Sequence, residues 1–145
     1  MNAKNLTERK KTKLLFFVNV DWFFVSHRLP LALSAINNGY EVNIATSFTR
    51  HKDYLEEMGL VVHEIKLHRS STSLFGMIRE FFCILVLLKK IKPEIMHLVT
   101  IKPIILGSLA SFFIKKKIYL VYAFSGLGTV FISKGKKAYL RRFLT

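Results

Sequence analysis

The chain has 145 residues, 51% of them hydrophobic and thirteen of them Phe, with a formal net charge of +14. That length suits one domain with its own core rather than two, and the single cysteine, Cys83, excludes an internal disulfide, so burial must hold the fold together. The charge draws the chain towards anionic surfaces such as phospholipid, polyphosphate or nucleic acid. Its longest apolar stretches, residues 81–88 and 103–114, fall short of the ~18 residues expected of a spanning helix.

Residues 1–12 are polar and basic without periodicity and read as a mobile basic tail. A domain is expected over residues 13–145. Its opening run, 14–20, is continuously apolar, as in a strand covered on both faces of a parallel sheet. Asp21 follows directly with no small-residue cleavage site, which argues against a secretory signal.

An aromatic loop is expected over 21–28, then a helix whose apolar positions Leu29, Ala32, Leu33, Ile36 and Tyr40 repeat at helical spacing, stopped by Asn38 and Gly39. Further strands are expected at 41–46, 60–67, 94–99 and 118–124. Helices are expected at 51–58, 74–91 and 104–114, with loop or cap at 68–73. The helix at 74–91 is apolar nearly all round, so it is either deeply buried or touches something greasy. Cys83 within it reads as a small core residue. A glycine-rich turn is expected at 125–128, and then a basic segment that starts another helix.

Strands alternating with helices predict an α/β fold, a Rossmann-like open parallel sheet of strand order 3-2-1-4-5 with helices on both faces. Strands 1 and 4 then flank a crevice at their carboxyl ends. One wall is 21–28, with Asp21, His27 and Arg28, and the other is 97–102, with His97, Thr100 and Lys102. Cations, imidazoles and a carboxylate converging there suit a phosphorylated or hydroxyl-rich ligand.

The first βα turn, DWFFVSHR, holds no glycine, which argues against dinucleotide binding. No P-loop pattern occurs. The five histidines show no metal-ligand pairing, and only Asp21 and Asp53 are aspartates, so no catalytic metal and no cofactor are expected. Basic clusters at 89–92, 115–117 and 134–142 each follow an apolar segment, which suits peripheral contact with an anionic membrane surface.

The ordered run SHRLPLA, HLVTIKP and SGLG, within FVNVDWFFVSHRLPLALSAINNGYEVNIAT through YAFSGLGTVFI, resembles the N-terminal half of bacterial family 4 glycosyltransferases of the GT-B fold. The nearest likeness is to enzymes that extend lipid-carrier-linked sugars in surface polysaccharide synthesis. The resemblance implies an acceptor-binding lobe at the cytoplasmic face of the membrane, a polyprenyl-linked sugar as acceptor and a nucleotide sugar as donor substrate, transferring a hexose or N-acetylhexosamine. It implies catalytic positions at His97 and Asp21 and acceptor contacts at His27, Arg28, Thr100 and Lys102. Ser125, Gly126 and Gly128 would approach the donor diphosphate. The donor lobe of the family lies beyond Thr145, so a truncated chain inactive alone, or a donor subunit supplied separately, is expected. A competing reading is a non-catalytic basic α/β module binding an anionic membrane or nucleic acid. The chain lacks a recognition helix or a stacking platform for the latter, and no specific nucleic acid is expected.

Overall fold

Strand β1, Lys13–Val20, is the hub of the sheet. It pairs in parallel with β2, Glu41–Ser47, on one side and with β4, Ile95–Val99, on the other. Beyond β2 lies β3, Val61–Glu64, and beyond β4 lies β5, Tyr119–Ala123, so the order is β3-β2-β1-β4-β5 with every pair parallel. This is the Rossmann-like α/β sheet that the apolar runs predict. The computed structural model describes residues 11–66 and 74–125. The expectations for residues 1–10 of the tail, the 68–73 loop, Gly126, Gly128 and the basic segment after them lie outside the described residues.

Side-chain alternation along β1 builds two cores, because successive residues point to opposite faces. Phe16 and Val18 pack with Ile44 of β2 beneath helices α1 (Asp21–His27), α2 (Leu29–Asn37) and α3 (Lys52–Glu57), which supply Phe24, Leu29, Ala32 and Leu55. Leu15 and Phe17 pack with Leu98 of β4 beneath α4 (Leu74–Ile91) and α5 (Ile101–Phe112), which supply Ile84, Leu88, Leu106 and Ala110. Full burial of each of these Leu, Ile, Val and Phe side chains stabilises by about 1.5–3 kcal/mol before entropy is counted. At Gly107, an added Cβ would stand 2.5 Å from Leu98 Cδ2 and 3.1 Å from Phe17 Cδ1, so glycine lets α5 lie close to the sheet. Helices α2 and α3 are followed by Gly39 and Gly59 at φ +83° and +86°, values that glycine adopts without a Cβ penalty.

Four expectations are corrected. Residues 21–27 form helix α1, not a loop. Pro30 then breaks the helix at Arg28, since it has no N–H for the carbonyl of Ser26 and its ring crowds that carbonyl. Helix α5 begins at Ile101 rather than 104, with Pro103 accommodated in its first turn. Strand β3 ends at Glu64 rather than at 67. Cys83 is exposed, because α4 buries one side only and leaves Phe75 87% and Phe82 56% exposed on another.

Candidate functional site

Arg28, His97, Thr100 and Ser125 stand at the carboxyl ends of β1, β4 and β5. His97 stands opposite Phe16 in the β1–β4 register and stacks on its ring, with centroids 5.1 Å apart and planes 25° apart. It is 9% exposed, and its Nε2 is buried without a hydrogen-bond partner among the described residues. Burial lowers its pKa and the nearby Arg28 guanidinium lowers it further, so the ring is neutral at pH 7 and keeps one nitrogen free to accept a proton.

Arg28 sits at the break between α1 and α2. Its Nη2 donates to Ser125 Oγ at 3.4 Å, while its Nε is buried and unpartnered among the described residues. Thr100 caps α5 from φ 74°, ψ 162°, a region that a β-branched residue avoids. Its N–H donates to Ala123 O at 3.1 Å, tying it to the strand that leads to Ser125, and its Oγ1 is buried without a partner among the described residues. Strain of this kind costs on the order of 1–3 kcal/mol and concentrates at functional sites. Asn19 Oδ1, in the irregular end of the β1 ladder, is likewise buried and unpartnered among the described residues. Sequence reading passed over Asn19, although a lone amide in the run LLFFVNV is the signal that marks it.

Asp21 belongs to a different arrangement. Its carboxylate is 0% exposed and accepts from the Thr49 N–H (2.9 Å), Thr49 Oγ1 (2.7 Å), the Arg50 N–H (3.0 Å) and the His51 N–H (2.9 Å), as well as from the Trp22 N–H (2.8 Å). His51 Nδ1 lies 3.3 Å away. Burial alone would raise this carboxyl, but the hydrogen bonds from Arg50, Thr49 and His51 outweigh it and hold the group well below the usual carboxylate range. Its oxygens are thus committed to holding the β2–α3 connection against α1. Its geometry is that of a positioning residue rather than of the catalytic group expected.

Two further expected wall residues turn away from the crevice. The His27 ring stacks on Phe23 at 4.3 Å, and its Nδ1 lies 2.6 Å from Ser26 Oγ and 3.2 Å from Phe23 O, so it folds back on its own helix at the surface. Lys102 Nζ reaches Glu80 on α4, 2.7 Å from Oε2 and 3.0 Å from Oε1. Glu80 is 2% exposed, and a carboxylate so buried requires a cation. The pair therefore stitches α4 to α5 on the face opposite His97. Among the described residues no three His, Cys, Asp or Glu side chains converge as a metal-holding group.

The sequence pattern of the family described as glycosyl transferase 4-like matches residues 13–145. The chain belongs to this family. Among solved structures, a glycosyltransferase from Rickettsia africae superposes with TM-score 0.63 at 16% identity, over 78% of this chain and 29% of that one. CalG4, the calicheamicin glycosyltransferase, gives TM-score 0.58 at 17% identity, over 93% of this chain and 36% of that one. A protein from Listeria monocytogenes described as a UDP-N-acetylglucosamine 2-epimerase gives 0.61 at 15% identity, over 94% and 38%. At such identities these likenesses concern the fold, which is that of one lobe of a GT-B glycosyltransferase. The chain spans about a third of the length of these neighbours. No curated protein sequence matches.

Proposed function

We propose that this glycosyltransferase-like chain forms the acceptor-side wall of a glycosyl-transfer cleft, at which a hexose or N-acetylhexosamine passes from a nucleotide sugar to a lipid-carrier-linked glycan during surface polysaccharide synthesis. The observation that carries the reading is the pair of buried nitrogens without a partner among the described residues, His97 Nε2 and Arg28 Nε, at the switch point between β1 and β4. Buried polar atoms normally have partners, and open α/β sheets collect their ligands at this end. A neutral imidazole beside a guanidinium suits hydroxyl groups of a sugar next to a phosphate.

In this reading His97, Arg28 and Thr100 face the reacting sugar, and Ser125 with Gly126 and Gly128 approaches the donor diphosphate. Asp21 holds the wall in shape and Lys102 braces its outer face. The donor's base and sugar are gripped by a second lobe, and this chain is inactive without it. No helix among the described residues is long and apolar enough to cross a membrane. The proposed contact with the inner face of the membrane is peripheral, through the exposed apolar stripes of α4 (Phe75, Ile78, Phe82, Val86) and α5 (Ile105, Leu109, Phe112) flanked by Lys89, Lys90 and 115–117.

The test is transfer of radiolabel from UDP- and GDP-sugars into solvent-extractable lipid by bacterial membranes containing the protein and its donor lobe. Label should appear with the native chain and fall about 10²-fold or more in His97→Ala, the usual loss when a positioned proton-transfer group is removed. Absence of label with every nucleotide sugar ends the reading.

A further inference from the structure

A concavity lies on the other face of the sheet from His97, between the edge strand β3 with the residues after it and α4. It has a volume of about 390 Å³, within the range of small-ligand sites. Its α4 wall is Arg79, Cys83, Val86, Leu87 and Lys90, whose spacing of four, seven, eight and eleven residues from Arg79 puts them on one helix face. Ile65 and Lys66 close the other side.

The charges are unbalanced. Glu80 at the margin is committed to Lys102, and Glu64 is the remaining acid of the lining, against Lys66, Arg79 and Lys90. Among the described residues no carboxylate stands within ion-pair distance of any of these three cations. Ile65, Val86 and Leu87 add apolar surface to the lining of the cationic cavity. Val86 belongs at the same time to the exposed stripe Phe75, Ile78, Phe82 and Val86 that runs down α4. A cationic hollow opening onto an exposed apolar ridge has the chemistry of an amphiphile with an anionic head.

We infer that this cavity is a binding site for the head group of an anionic glycerophospholipid, with Arg79 and Lys90 lining it at positions about 16 Å apart along α4, Lys66 on the facing side, and the acyl chains leaving along the α4 ridge. The site fixes which side of α4 meets the membrane, rather than leaving docking to diffuse charge. This inference rests on the peripheral membrane contact proposed above.

The test has two arms on the full chain. In the first, alkylation of Cys83, the sole cysteine and part of the cavity wall, is timed with short-chain lipids kept below their micelle concentration. Dihexanoylphosphatidylglycerol should slow it severalfold, while dihexanoylphosphatidylcholine and inorganic phosphate should leave it unchanged. Equal protection by inorganic phosphate assigns a free-phosphate site and overturns the lipid assignment, and no protection by any of the three overturns the site. In the second arm, flotation with phosphatidylcholine vesicles containing phosphatidylglycerol compares Arg79→Gln/Lys90→Gln with Arg50→Gln/Lys52→Gln, which removes the same charge beside α3 on the other face. The cavity pair should lose about twenty-fold or more in partition, near five-fold for each cation at the surface, and the control pair about two-fold or less. Equal losses in the two pairs overturn the cavity and leave diffuse membrane docking standing. A native chain that fails to float overturns both.

Discussion

The two ends of the sheet are built on opposite terms. At the amino ends of the strands Lys13, Glu41, Glu94 and Lys116 answer one another. Lys13 Nζ lies 3.2 Å from Glu41, the Lys13 N–H donates to Glu94 Oε2 at 2.8 Å, and Lys116 pairs with the other Glu94 oxygen. At the carboxyl ends Asn19 Oδ1, Arg28 Nε, His97 Nε2 and Thr100 Oγ1 are buried and unanswered among the described residues, and Thr100 carries a strained backbone. A fold gains nothing in stability from unanswered buried polar atoms, each of which costs about 1–3 kcal/mol. Their concentration at one end sets the end proposed to bind apart from the end that holds. Asp21 crosses that division, because it stands at the carboxyl end of β1 and yet is fully satisfied.

Asp21→Ala is the sharpest probe of that exception. It should destabilise by about 3–5 kcal/mol in urea unfolding, because three backbone N–H groups of the β2–α3 connection lose their acceptor in a buried site. A loss under about 1 kcal/mol would mean that this connection finds other partners readily. His97→Leu should do the reverse. Stability should stay within about 1 kcal/mol or rise, since an apolar side chain replaces an unpaired polar one, while the transfer assay loses its signal. A marked loss of stability with transfer retained would break the contrast between the two ends.

Acid should act on the same residue. The folded-state pKa of His97 is lowered, first by burial and then by Arg28, and that of His63 is lowered first by burial and then by Lys90. Below about pH 6.5 the unfolded chain therefore takes up protons that the folded chain resists, and stability falls as pH drops from there towards the folded values. Thermal unfolding between pH 7 and 5 should show this slope, and His97→Leu should flatten it in part. The smallest effect is expected at the other end. Glu94 is held below the usual carboxylate range, burial raising it less than the Lys116 ammonium and the Lys13 N–H lower it, but it is partly exposed. Glu94→Gln should cost only about 0.5–1 kcal/mol in urea unfolding.

Much of the frame was readable in advance. Apolar runs of strand length separated by helical spacing gave the sheet order, and α4 runs from Leu74 to Ile91 as expected, because Pro93 sits two residues beyond a long apolar pattern. Of the crevice residues, the positions of His97, Arg28 and Thr100 followed from that order, since sheet order alone decides which strand ends are neighbours. Helix α1 was not readable. Trp, Phe, Val, Ser and His are indifferent helix formers, and DWFFVSH coils because Phe24 is buried against Phe16 at 5.3 Å and Asp21 is clamped from the next connection.

From its pattern of apolar runs, glycines and prolines the sequence determines the strands, their order and the end at which a ligand would sit, since these follow from periodicity and local backbone limits. The tasks of individual polar residues were settled by packing. Asp21 finds its partners 28–30 positions away, Lys102 finds Glu80 22 positions away, and Cys83 emerges at the surface. A charged group is assigned to bracing or to binding by whichever group the folded chain sets beside it, and local spacing carries no record of that.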